Sequence, residues 1–110
     1  MAQKQAMSSA QIIVTGHVLV QKDRLADALA LALTHVQRSR TEPGCLSHAV
    51  HQDVENSLRL VFVEEWADQA ALMAHFAVPA SRAFVRDLGQ LSTAPPHMAI
   101  FEARPVRMGG

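Results

Sequence analysis

The order of strand and helix patterns along the chain constrains the fold more than any other feature. Apolar, β-branched runs predict four strands, at residues 11–20, 45–52, 58–66 and 97–103. Apolar residues spaced by three and four predict a helix over residues 24–37, and a second helical region over 69–91 is interrupted at Pro79. The order β-α-β-β-α-β predicts an α+β, ferredoxin-like split βαβ fold with a four-stranded antiparallel sheet. Asp23 and Asp68 precede the helical regions and are expected to cap them.

The strands are apolar on both faces. Because alternate residues point to opposite sides of a strand, Ile12 and Val14 share one face of the first strand, while Ile13 and Leu19 share the other. Helices in this fold cover only one face of the sheet. We therefore expect a homodimer in which two sheets pack face to face as a dimeric α+β barrel. The alternative is a monomer with a large apolar patch, which soluble proteins rarely carry.

Length and composition indicate one small domain. We assign residues 11–105 to it, with a disordered tail at 1–10 and a second tail at 106–110. Lysine and arginine number 10 and aspartate and glutamate number 10, so no net charge favours a nucleic-acid or membrane partner. No apolar run is long enough to span a bilayer, and the first ten residues lack the apolar core of a signal peptide. The single cysteine, Cys45, fits a reducing compartment, and we expect a cytoplasmic protein.

Several common catalytic and cofactor motifs are missing from the sequence. It has no glycine-rich nucleotide loop, no GxSxG elbow, no HExxH and no CxxC. The pair His48 and His51 forms HxxH, but residues three apart on a strand point to opposite faces and do not chelate one metal. We therefore expect neither a bound cofactor nor a metal. With no tyrosine in the chain, chemistry is left to histidine, tryptophan, arginine and carboxylates.

His75 is the strongest candidate for an acid–base residue. It borders the apolar face of the second helical region, and Trp66 ends the preceding strand, so both are expected at one end of the space between sheet and helices. Glu64 shares a strand face with Trp66 and needs a buried partner. The alternative interpretations are a satisfied core histidine and a structural salt bridge. His35 is expected to be solvated on the polar side of the first helix.

The runs EPGCLSHAVHQD at 42–53 and LVFVEEWADQAALMAHF at 60–76 resemble the antibiotic biosynthesis monooxygenase (ABM) family. That family has an E-P-G-C/N-L turn into its second strand, a strand ending in E-x-W, and a helix containing A-L-x-x-H. The resemblance covers residues 12–105 and implies a dimeric α+β barrel with a pocket in each subunit. Haem-degrading relatives use an asparagine on the first strand, which this chain lacks, so haem degradation is not expected.

The resemblance implies oxidation of a quinol-like or polycyclic phenolic small molecule by O₂ without flavin, haem or metal. His75 and Trp66 would be catalytic, with His75 as the acid–base group and Trp66 as a pocket wall. The expected substrate contacts are Glu64, His51, Phe62, His17, Leu72 and Phe76. Two alternatives stay open: an isomerase or lactone-type enzyme that uses the same pocket, and a non-catalytic dimeric protein that binds a small aromatic ligand.

Overall fold

The computed structural model describes residues 11–109, so the predicted tail at 1–10 lies outside the described residues. Its elements follow the predicted β-α-β-β-α-β order, with the second helical region in two pieces. They are β1 (Gln11–Leu19), α1 (Leu25–Ser39), β2 (Cys45–Asp53), β3 (Asn56–Trp66), α2 (Gln69–Ala77), α3 (Pro79–Gln90) and β4 (His97–Ala103). The predicted α+β, ferredoxin-like class is confirmed. None of the described helices combines the length and hydropathy needed to cross a membrane.

The four strands form one antiparallel sheet in the order β2-β3-β1-β4. The central strand β1 pairs with both β3 and β4, so Val14 lies opposite Glu64 on one side and Ile100 on the other. On the outer side of β3, Glu64 also faces His48 of β2. This register aligns the two polar side chains His48 and Glu64 on one face of the sheet, under the helices.

Burial follows the alternation of the strands. The buried residues of β1 and β3 are even-numbered and therefore lie on one face of the sheet, on which the helices pack. They are Ile12, Val14, Val18, Leu60, Phe62, Glu64 and Trp66. The opposite face of the sheet carries Leu19, Val63 and Phe101, which are all exposed in the single chain. The two-faced apolar pattern is therefore real, and one of its faces has no cover within the described part of the subunit.

Three local features differ from, or refine, the sequence prediction. Asp23 lies in a 3₁₀ turn and makes no side-chain cap, so that prediction is wrong, whereas Asp68 caps α2 by accepting from the Ala71 amide. The turn predicted at 53–57 is shorter, because Asp53 ends β2 and its Oδ1 accepts from the Glu55 amide. The backbone is extended at Val78, immediately before a proline, and this separates α2 from α3.

Gly44 controls how the chain passes from α1 into β2. Its φ of 81° lies in the left-handed region, and a Cβ at this position would be 2.5 Å from the Cβ of Ala71. Its carbonyl accepts a hydrogen bond of 2.8 Å from the Ala67 amide. The loop that holds Glu42 is therefore packed directly against the start of α2.

Candidate active site

The helices and the sheet enclose a cavity of about 410 Å³. Apolar side chains such as Phe62, Phe84 and Leu88 form much of its wall. The lining also includes seven ionisable side chains, namely His17, His35, His48, Glu64, His75, Arg82 and His97. An apolar cavity with a few polar groups is the usual form of a small-molecule site.

His75 is held by a carboxylate from the loop between α1 and β2. The α2 helix places its ring in the interior, 3% exposed, and Nδ1 lies 2.7 Å from Oε1 of Glu42. Nη1 of Arg38 lies 3.0 Å from Oε2 of the same carboxylate, so Glu42 is anchored by a charged donor. The hydrogen bond to Glu42 places a proton of His75 on Nδ1, so the lone pair of the ring in its neutral form is on Nε2.

His35 is buried rather than solvated, which corrects the sequence prediction. Its ring stacks on Phe84 with centroids 3.8 Å apart and planes within 3°. Nη2 of Arg38 lies 2.7 Å from Nδ1, and a guanidinium can only donate, so Nδ1 of His35 accepts. Burial lowers the pKa of His35 to about 3, with His48, His75 and Arg38 adding to the effect, and the ring is therefore neutral.

His48 and Glu64 form the floor of the site. The ring of His48 is 1% exposed and neither nitrogen has a hydrogen-bond partner among the described residues. Its Nε2 lies 3.5 Å from Oε2 of Glu64, and Nε1 of Trp66 donates to Oε1 of that carboxyl over 2.8 Å. Burial lowers the pKa of His48 to about 3, with His75, Arg40 and Arg38 adding to it, and burial raises the pKa of Glu64.

The predicted site residues divide into those that line the cavity and those that do not. His75, Glu64, Phe62, His17 and Phe76 line it. His51 does not, because it is exposed and lies on the opposite face from His48, so the structure contradicts it as a pocket contact. Trp66 and Leu72 are fully buried behind the wall, packed with Ile12 and Val14.

Trp66 therefore does not form the pocket wall that the sequence predicted. Its ring centroid is 4.7 Å from that of His75, and its indole N–H is committed to Glu64. Trp66 therefore contacts His75 and Glu64 from outside the cavity and holds both side chains in position. His17, by contrast, sits at the cavity edge, where its ring stacks on His97 of the neighbouring strand with centroids 5.0 Å apart.

Sequence reasoning missed Arg38, Glu42, His35 and His48 as parts of the site. A weak signal was present, since Arg38 lies three residues after His35 in the last turn of α1 and four residues before Glu42, in the loop that follows. A spacing of this kind is typical of a surface ion pair, and nothing in it reveals burial. The HxxH spacing excluded His48 and His51 as ligands of one metal, because the two side chains point to opposite faces of the strand. No spacing in the sequence indicates that side chains of other elements lie close to His48.

A metal ion fits the histidine cluster incompletely. One ring nitrogen from each of His35, His48 and His75 lies within 4.8 Å of the others, a set that zinc or another transition metal could use. However, Nδ1 of His35 is occupied by Arg38, so the neutral ring carries its proton on Nε2 and has no free lone pair. As arranged, two rings rather than three offer a lone pair. The absence of a metal or cofactor stays a prediction.

The arrangement as a whole can move a proton in an apolar pocket. The fold and the site together define a small ferredoxin-like α+β domain that has a cavity of ligand size and a carboxylate–histidine pair, of which the histidine is buried. The chain belongs to the antibiotic biosynthesis monooxygenase family, whose sequence profile matches residues 11–87.

The chain is also similar to three further proteins. An uncharacterised protein of Synechocystis sp., sll1783, is 33% identical over 91 residues, covering 83% of this chain and 62% of its own length. YcnE of Bacillus subtilis, which its name describes as a proposed monooxygenase, is 27% identical over 84 residues, covering 76% of this chain and 88% of its own. A crystal structure of an antibiotic biosynthesis monooxygenase superposes with a TM-score of 0.79 at 26% identity, covering 86% of this chain and 99% of its own.

Proposed function

We propose that this chain is a cofactor-independent monooxygenase that oxidises a quinol-like or polycyclic phenolic small molecule with O₂. The observation that carries the proposal is that Nδ1 of the buried His75, which lines an apolar cavity, lies 2.7 Å from Oε1 of the partly buried Glu42. Membership of the family supports the reaction class. The proposal extends to a cytoplasmic homodimer, with the open sheet face that carries Val63 and Phe101 as the contact.

The chemistry requires only that the protein binds, deprotonates and shields the substrate. His75 removes the proton of a phenolic hydroxyl, and the electron-rich phenolate transfers one electron to O₂. The resulting superoxide joins a ring carbon, and loss of water from the hydroperoxide leaves a quinone carbonyl, so a phenol and O₂ give a quinone and water. An apolar pocket keeps bulk water away from the reactive intermediates.

The size of the cavity bounds the substrate. A cavity of ~150 Å³ holds one benzene ring. The cavity of about 410 Å³ therefore has room for about two or three fused rings. The phenylalanine side chains Phe62, Phe76 and Phe84 supply flat apolar surface for such a ligand.

Oxygen consumption with a series of hydroquinones of one to three rings tests the proposal. We expect His75→Ala to lower the rate at least ~100-fold, because a general base contributes about 10²–10⁴-fold. His51→Ala is the matched control, since His51 is exposed on the opposite face of the sheet. Equal oxygen consumption by wild type and His75→Ala would refute the role of His75.

The same experiment separates the alternatives. Turnover that continues without oxygen would instead support an isomerase or lactone-type enzyme, which the same carboxylate–histidine pair could serve. A ligand that raises the melting temperature and is recovered unchanged, with and without O₂, would support a non-catalytic binding protein.

A further inference from the structure

One ion pair, between Arg38 and Glu42, contacts two different histidine rings and sets where their protons lie. Nη2 of Arg38 donates to Nδ1 of His35, and Nη1 pairs with the Glu42 carboxylate. Because Nδ1 of His35 is an acceptor in a neutral ring, the proton of that ring is on Nε2. Because Glu42 accepts from Nδ1 of His75, the neutral form of that ring carries its lone pair on Nε2. The two rings are therefore opposite tautomers, one a donor and the other an acceptor at Nε2.

The two rings are close enough to act on one atom of a ligand. Their centroids are 5.3 Å apart, and one nitrogen of the His35 ring lies within 4.8 Å of one nitrogen of the His75 ring. An oxygen that makes two hydrogen bonds of about 2.8 Å can bridge nitrogens up to about 5.6 Å apart. Both residues line the cavity, and no hydrogen bond from Nε2 of His35 or His75 to another described residue is present.

A hydroxyl group is the ligand that satisfies both nitrogens at once. Its hydrogen can be donated to Nε2 of His75, while its oxygen accepts from the Nε2–H of His35. When the proton passes to His75, the oxygen becomes an anion that still accepts from His35, and the new imidazolium is paired with Glu42. A methyl ether of the same shape cannot donate and would leave His75 unpaired.

We propose that His35 and His75 form a hydroxyl-binding subsite, in which His75 accepts the proton of a phenolic or enolic hydroxyl and His35 stabilises the oxyanion. The inference rests on the proposed function and adds His35 as a second catalytic residue and Arg38 as the positioning residue for both rings. It selects substrates that carry an acidic hydroxyl and excludes their ethers. Stacking on Phe84 fixes the plane of the His35 ring, so the donor is preorganised.

Titration of bound 4-nitrophenol tests the subsite without any oxygen chemistry. Phenol and phenolate absorb at different wavelengths, so the pKa of the bound probe can be read under nitrogen at saturating protein. We expect wild type to lower the pKa of the probe by about one to two units, the value of a hydrogen bond to a charged group. We also expect 4-nitrophenol to bind at least ~10-fold more tightly than 4-nitroanisole.

Two variants assign the effect to the proposed residues. His35→Phe keeps an aromatic ring against Phe84 but removes the donor, and most of the pKa shift of the probe should disappear. Arg38→Met, at a partly exposed side chain, removes the donor that fixes the tautomer of His35 and the charged partner of Glu42, and it provides the same test if His35→Phe does not fold. His51→Phe is the control on the opposite face and should leave the shift unchanged.

Three results would overturn the subsite: a bound probe that titrates as it does in free solution, equal affinity for phenol and ether, or an unchanged shift in the folded variants. The oxygen assay tests the proposed function separately from the subsite. A shifted probe pKa without oxygen consumption would keep the subsite and reject the oxygenase, whereas oxygen consumption with an unshifted probe would reject only the subsite.

Discussion

Acidification should destabilise this protein through two buried rings. The folded-state pKa values of His35 and His48 are lowered to about 3, chiefly by burial, from an ordinary value of 6.5. In the unfolded chain both rings take up a proton as the pH falls through 6.5, whereas the folded protein holds them neutral down to about pH 3. The unfolded state therefore binds more protons in this window, and stability is fully present above pH 6.5 and falls below it.

The magnitude follows from the same pKa values. One pKa unit corresponds to about 1.4 kcal/mol, so between pH 7.5 and pH 5 each ring removes about 2 kcal/mol of the free energy of unfolding. The two together remove about 4 kcal/mol, a large part of the ~5–15 kcal/mol that a domain has. Glu64 acts in the opposite direction, because its raised folded-state pKa lets the folded protein take up a proton there first. The net loss at pH 5 should therefore lie somewhat below the sum.

Urea unfolding at pH 7.5, 6.0 and 5.0, followed by the fluorescence of Trp66, measures this effect. Trp66 is the single tryptophan and is fully buried, so its emission reports the folded core. Between pH 6 and 5 the free energy of unfolding of wild type should fall with a slope that approaches the uptake of two protons on unfolding. His48→Leu should remove about half of this slope. His51→Ala, which removes an exposed histidine, should leave the slope unchanged. A wild-type free energy of unfolding that is constant from pH 7.5 to 5.0 would refute the reasoning.

Three further predictions test packing and assembly. Gly44→Ala should lower the free energy of unfolding by about 2 kcal/mol or more, because φ is 81° and a Cβ at this position has no room. Gly89→Ala, at an open helical position, should raise the free energy of unfolding by ~0.5–1 kcal/mol. Thermal melts in which Gly44→Ala is the more stable of the two variants would contradict this. Trp66→Phe should lower the free energy of unfolding by ~1–3 kcal/mol, since the buried carboxyl of Glu64 loses its 2.8 Å donor; because this variant has no tryptophan, its urea unfolding is followed by circular dichroism, and an unchanged midpoint would argue against that bond. Phe101→Glu should convert the proposed homodimer to monomers in light scattering, and an unchanged mass would exclude this face as the contact.

The fold could be predicted from the sequence because its signals are local and periodic. Strand alternation, the cap at Asp68 and the break at Pro79 each depend on neighbouring residues, and the structure has all three. Asp23 failed as a cap because the chain first forms a 3₁₀ turn there. Trp66 and Glu64 were correctly placed on one strand face for the same periodic reason, but the pocket wall could not be foreseen. Which side chains reach a cavity depends on how far each helix stands from the sheet, and no local pattern encodes that distance.

The polar part of the site depends on a contact that sequence spacing alone misrepresents. An Arg–Glu pair four residues apart at the end of a helix is usually a surface ion pair worth ~0.3–0.5 kcal/mol. Here the carboxylate of Glu42 is only 14% exposed, and the positive φ of Gly44 turns the loop so that this carboxylate faces α2. The pair thereby connects α1 to His75, and the same guanidinium reaches His35. Because both rings take their tautomers from this one ion pair, a change at Arg38 should alter proton placement across the cavity without removing any group that touches the ligand.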